Sequence, residues 1–294
     1  MKPFKDYLEE LNYSESTVNL HTKETQNFIK WCNRNSTTAI EIDYKKCLKY
    51  IKYLTRKGTK KKTINHRLRS VKIYFDYLID EACRSDNPIE NTTIKGVKRN
   101  INYNLLESDE LEDIYYSFET EKYQEEYHKY TLKRAKVIIG LIMYQGLNTT
   151  DLGNLQIEHL QLSKGKIYVP STSRSNAREL ELKPWQIMEF IEYQNEIRPV
   201  IQDKIQNHSE QLFNSNARFS IIIYHIFKKL KKYNQKVENI KQIRASVITN
   251  WLGNYNLRKV QYFAGHRYIS STERYVQDDL ENLHEIVNNF HPIS

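Results

Sequence analysis

The chain has 294 residues, with 45 Lys and Arg against 36 Asp and Glu, a formal charge of +9. Hydrophobic residues at 39% and aromatics at 12% are enough for a buried core, so wholesale disorder is excluded, and the length fits one large or two ordinary domains. The longest apolar run, Val137 to Tyr144, falls far short of the ~20 residues of a membrane span, and the charged start MKPFKDYLEELNYSE is not a secretory signal.

The first hundred residues read as four helices. A short one covers Lys5 to Leu11. Ser14 caps a second, with Val18, Phe28, Ile29 and Trp31 at apolar positions and an end near Asn33. Asp43 caps a third, with Leu48, Ile51 and Leu54 at helical spacing and a stop at Gly58. Thr59 caps a fourth, along which Ile64, Leu68, Val71, Phe75 and Leu78 recur at alternating steps of four and three. Asp86-Asn87-Pro88 and the aperiodic IENTTIKGVKRNINYN behind it read as a linker. The expected division is a domain over 1–98, a linker over 99–105 and a second domain over 106–294.

In the second domain, Ser108 is the expected N-cap of a helix over 109–118, followed by one over 124–145. LQIEHLQLSKGKIYVPSTSRSNARELELKP alternates and turns, with a hairpin at Ser163-Lys164-Gly165-Lys166 and a third strand from Arg178 to Leu182. Helices over 184–197, 217–232, 239–252, 257–264 and 279–289 complete it. The fold class is mainly α with one small three-stranded antiparallel sheet.

Charge is concentrated at the front. Residues 1–98 carry 20 basic and 12 acidic side chains, and Tyr44 to Phe75 holds twelve basic residues and no acid. Most charge runs are solvated faces, but those usually mix signs, and a field of one sign asks for an anion. The run is interleaved with the core stripe of the fourth helix, unlike a membrane-binding helix with one broad apolar face. Duplex DNA is the expected partner, met by Lys60, Lys61, Lys62, Arg67, Arg69 and Lys72; of these Lys62, Arg69 and Lys72 share the helix face opposite the stripe. Cys32, Cys47 and Cys83 form no CxxC pair, which fits reduced thiols in a cytoplasmic protein and argues against a zinc ribbon or disulfide scaffold. The chain has no GxxxxGK[ST], GxGxxG or HExxH, so no nucleotide cofactor and no metal is expected.

Singly, no residue announces chemistry: Tyr275 is one of 22 tyrosines, and His266 or Arg244 could be structural. The constellation does. NIKQIRASVITNWL sets Lys241 and Arg244 three apart at a helix start, and FAGHRYISSTERYVQ sets His266 nine residues before Tyr275. These two segments resemble the boxes of the tyrosine recombinase (phage integrase) family, H/K-x-x-R and then GH-x-x-x-x-T-x-x-Y. Gly265-His266, Ser271-Thr272 and Tyr275 stand in register. YQGLNTTDLGNLQIEHL is similar to the family's upstream box through Gly146, Leu147, Asp151, Leu152 and Leu155. Two departures stand out: Asn148 occupies the place of the family's first arginine, and Ser173 or Arg174 the place of its strand-turn lysine.

The resemblance implies a four-helix, SAM-like core-binding domain ahead of a catalytic domain, with DNA clamped between them. It implies site-specific recombination through a 3′-phosphotyrosine, with Tyr275 as nucleophile, Arg244 and His266 stabilising the transition state, and no cofactor. Arg174 would stabilise charge near the leaving 5′-oxygen, although arginine is a poor acid. Lys241 would share that role, and Arg174 or Arg178 would compensate for Asn148. It also implies a homotetramer on DNA. The tail stripe Leu280, Leu283, Ile286, Val287 and Phe290 would pack either on its own domain or on the next protomer. Two other readings stand beside the recombinase. One is a catalytically weakened DNA-binding accessory or regulatory protein of the same fold. The other is a plain helical nucleic-acid binder, which leaves the hairpin and both boxes unexplained.

Overall fold

A computed structural model describes residues 2–97, 104–121 and 124–277. The chain divides into two compact units, Met1–Asn100 and Ile101–Ser294.

The first unit holds α1 (Phe4–Glu10), α2 (Glu15–Arg34), α3 (Tyr44–Arg56) and α4 (Lys61–Asp80). The periodic stripe of α4 is its core: Ile64, Leu68, Val71, Phe75 and Leu78 are buried against Phe28, Trp31, Tyr50 and Leu54. Asp43 caps α3 as expected, its carboxylate accepting from the Lys46 amide at 2.7 Å. Two other caps differ. Ser14 sits at the N-cap of α2, but its hydroxyl pairs with the hydroxyls of Ser16 and Thr17, not with a backbone amide. The N-cap of α4 is Lys60, not Thr59.

The stretch read as a linker is also different. Ile89 is buried in the core, and the Asn65 side chain pairs with both backbone groups of Ile94, at 2.8 and 3.0 Å. The Asn87 amide donates to Lys72 O at 3.1 Å and to Asp76 at 2.6 Å. Residues 87–94 are therefore strapped to α4. A single asparagine satisfying two backbone groups leaves no periodic trace in sequence.

The second unit is built around α6 (Glu126–Tyr144), whose stretch from Val137 to Met143 is buried on every side, as a helix apolar all round must be. Around it lie α5 (Ser108–Ser117), α7 (Thr149–Gly153), α8 (Pro184–Glu192), α9 (Arg198–Ile205), α10 (Phe219–Tyr233), α11 (Ile240–Asn254) and α12 (Leu257–Ala264). Strands β1 (Leu160–Gln161), β2 (Lys166–Val169) and β3 (Arg178–Glu181) form one antiparallel sheet in that order, with Leu160 and Leu180 both opposite Ile167. Gly165, at φ +63°, makes the first turn possible.

Here too some boundaries move. Glu107, not Ser108, caps α5, in a reciprocal box with Glu110. The helix expected over 184–197 runs on: a π-helical turn, Tyr193–Ile197, joins α8 to α9 just ahead of Pro199, which has no N–H to give. The five residues of α7 carry no periodicity and were not foreseeable as a helix from spacing. The expected helix over 279–289 lies outside the described residues. Among the described residues no helix is long and apolar enough to cross a membrane.

One buried cation staples the first unit. Arg84 donates through Nη1 to the carbonyls of Ala39, Ile40 and Ile42 at 2.9–3.0 Å, pairs with Asp86, and lies over the Phe75 ring. Replacing it with alanine strands three carbonyls and opens the ring face. Arg84→Ala is expected to lower the stability of the first unit by about 2–3 kcal/mol in denaturant titration.

Candidate active site

The site starts where α6 ends. Gly146 takes φ +60°, and a Cβ there would press on Trp251 and Val247 of α11 at 3.1 and 3.3 Å. Only glycine lets the chain turn this close to α11. Two residues on, Asn148 caps α7: its Oδ1 accepts from the amides of Thr150 and Asp151 at 2.8 and 3.0 Å, and its Nδ2 donates to Asp151 Oδ2 at 2.8 Å. An Asn with Asp three residues later is close to capping-box spacing, a signal that sequence reading passes over.

Asp151 is buried, and two arginines converge on it. Arg178 from β3, its side chain fully enclosed, donates Nη2 to Asp151 Oδ2 at 2.8 Å. Arg244 from α11 brings Nη1 to 3.8 Å from the same oxygen. Arg244 also donates to the carbonyls of Gly146 and Ala264. Burial pulls its pKa below the usual arginine value, while Asp151 and Tyr275 pull the other way.

Gly265 ends α12 at φ +67°, and a Cβ there would overlap the Arg178 guanidinium. Next in the chain, His266 bonds through Nδ1 to the buried Thr272 hydroxyl at 2.8 Å and lies parallel to the Tyr275 ring, centroids 5.9 Å apart and 9° between planes. Burial, then Arg244 and Arg178, push its pKa down to about 4, so the imidazole is neutral at pH 7.

A cavity of about 490 Å³ opens over these groups. Asn148, Arg174, Lys241, Arg244 and His266 all line it, together with Ser173, and among the described residues no carboxylate does. Tyr275 reaches the group through Arg244 and His266 and faces a neighbouring hollow with Leu252 and Tyr255. Arg178 does not line the cavity either: it lies behind it, committed to Asp151. Of the two candidates for the place left by Asn148, only Arg174 is exposed at the cavity.

In the first unit, Lys60, Lys61, Lys62 and Arg69 are exposed and Lys72 half-buried. Arg67 is set apart, its Nε 3.2 Å from Glu24 on α2. Sequence reading passes over a second run, Lys228, Lys231 and Lys232, exposed on α10, although FKKLKKY is plain in the chain.

The depressed value of His266 has a pH consequence. As pH falls below about 6.5 the unfolded chain takes up the proton before the folded one does, so stability is full above 6.5 and lost toward pH 4. His21, buried against Ser70 and near Arg69, is pushed the same way. His266→Gln is therefore expected to flatten, without abolishing, the fall in stability between pH 6.5 and 4 in thermal melts.

The sequence pattern of the phage integrase family matches residues 104–282, and that of the phage integrase N-terminal SAM-like domain matches residues 1–82. The chain is 25% identical over 248 residues to the tyrosine recombinase XerC of Thermodesulfovibrio yellowstonii, aligning 81% of this chain with 78% of that one. It is 22% identical over 309 residues to XerC of Leptospira interrogans, with 99% and 92% aligned. Its fold is similar to that of the XerH site-specific recombinase bound to a palindromic difH substrate (TM-score 0.72, 17% identity, 97% of this chain and 84% of that one). It is also similar to the Tn1549 transposon integrase in complex with a circular intermediate DNA (TM-score 0.67, 17% identity, 95% and 98%). With the family patterns matching both units, over residues 1–82 and 104–282, the chain belongs to the phage integrase family.

Proposed function

We propose that this protein is a site-specific DNA recombinase that breaks and rejoins duplex DNA through a bond between Tyr275 and a 3′-phosphate. The observation that carries this is Arg244 and His266 meeting at one cationic cavity, with the Tyr275 ring stacked on His266 and no carboxylate among the described residues that line the cavity. The phenolic oxygen attacks phosphorus, the phosphotyrosine bond forms, and the 5′-oxygen leaves and later attacks in reverse, so the bond energy is kept. Arg244, held rigidly by two carbonyls, is preorganised to stabilise the non-bridging oxygens. Neutral His266, stacked on the nucleophile's ring, can hydrogen-bond the same phosphate. The exposed ammonium of Lys241 is the proton donor for the leaving 5′-oxygen, a task for which the guanidinium of Arg174 is poorly suited; Arg174 supplies charge.

Double-stranded DNA is the partner. Lys60, Lys61, Lys62, Arg69 and Lys72 contact phosphates and set affinity more than sequence choice, whereas Arg67 is held by Glu24. Two cleaved duplexes must exchange strands, which calls for a tetramer on DNA. The domain division, with a first unit ending near residue 98, belongs to this reading as well.

Tyr275→Phe is expected to bind duplex normally yet give no covalent adduct with a nicked suicide substrate. An adduct that persists, or that maps to Tyr268, overturns the assignment.

Asn148 marks the departure. Both arms of its amide are engaged in capping α7 and holding Asp151. An arginine there loses the cap, at a cost of about 1 kcal/mol, and brings a third guanidinium to a carboxylate that already faces two. Asn148→Arg should be less stable and should form adduct no faster than the unaltered protein; a gain in adduct rate counts against the compensating role of Arg174.

A further inference from the structure

The loop between β2 and β3 is tied down on both of its legs. On the returning leg, the Asn176 amide donates to Gly265 O at 2.9 Å, Ser175 pairs with His266 as an isolated antiparallel bridge, and the Glu179 amide donates to the Tyr262 hydroxyl at 3.0 Å. On the outgoing leg one contact crosses to the same turn: Arg267 Nη2 donates to Thr172 O at 2.8 Å. Thr172 then closes the loop on itself. Its hydroxyl pairs with that of Ser175 at 2.8 Å and accepts from the Arg174 and Ser175 amides, both at 3.1 Å, while its own amide donates to Ser175 O. Only Ser173 and Arg174 are left at the tip, and both line the cavity.

We infer that Arg267 is a positioning residue: by fixing Thr172 to the turn that carries His266, it holds the loop so that Arg174 stands over the phosphate cavity. The inference rests on the reading of that cavity as the phosphate site. A loop held on one leg alone can pivot about Asn176. Held on both, it moves only with the His266 turn, so the two groups that face the phosphate from this side keep their spacing. Arg267 itself lies outside the cavity lining and acts through Thr172. A charge-assisted bond to a carbonyl is strong enough for such a task.

The test has two arms. In the first, hydrogen exchange is measured on the DNA-free protein. Arg267→Ala should speed exchange of the amides over 172–176 by about tenfold or more, with α6 and α11 unchanged and Arg267→Lys intermediate. Unchanged exchange in that segment overturns the inference whether or not the protein cleaves DNA. In the second, adduct formation is measured at saturating duplex. Arg267→Ala should lose about tenfold, Arg174→Ala on the order of a hundredfold, and the double variant no more than Arg174→Ala alone, because both changes remove the same placed guanidinium. Losses that multiply, or an Arg267→Ala protein that binds duplex more weakly but cleaves bound duplex normally, overturn it. If the unaltered protein forms no Tyr275 adduct, the recombinase reading fails while the exchange result still decides the latch.

Discussion

The buried carboxylate of Asp151 organises the second unit's chemistry. An isolated charge at that depth is costly to bury, and it is tolerable here because Arg178, the Asn148 amide and, further off, Arg244 surround it. Each partner comes from a different element: α7 from its own cap, β3 through Arg178, α11 through Arg244. The ion cluster thereby fixes the relative placement of the hairpin, the helix carrying Lys241 and Arg244, and the turn after α6. Removing one partner from such a cluster leaves an uncompensated buried charge, so the members stand or fall together.

Around that anchor the site separates rigid from accessible charge. Arg178 and Arg244 are enclosed and held by carboxylate or carbonyl oxygens, whereas Lys241 and Arg174 are exposed at the cavity. The enclosed pair keeps His266 neutral, as two guanidiniums and burial both disfavour a third positive charge. The imidazole is consequently a hydrogen-bonding group fixed by Thr272 and by stacking on Tyr275, while the cations open to solvent at the cavity are Lys241 and Arg174.

Much of this was legible in the chain. The stripe of α4 is strictly periodic, so its burial followed from spacing alone. The Lys241–Arg244 and His266–Tyr275 pairs each lie within one short segment, where spacing determines which side chains share a face. What escaped was non-periodic or non-local. The strap over 87–94 is held by Asn65, a polar contact across the sequence. Helix α7 is too short to show a pattern. The withdrawal of Arg178 behind the cavity depends on Asp151 lying next to β3, which no spacing within either segment encodes. The engagement of the Asn148 side chain with the amides of α7 and with Asp151 escaped as well.

Gly265 carries a consequence for how such a site can change over time. Its left-handed backbone and the Arg178 guanidinium packed where a side chain would go bar every other residue from the position. Position 148 is different: a capping residue there keeps α7 and Asp151 in place whether or not it carries charge. Drift at the cavity rim is therefore open to small steps, each leaving a folded intermediate, while the turn beneath His266 is closed to them. A lineage can exchange which cation lines the cavity, but any path that alters the Gly265 turn must first dismantle the Arg178 pocket.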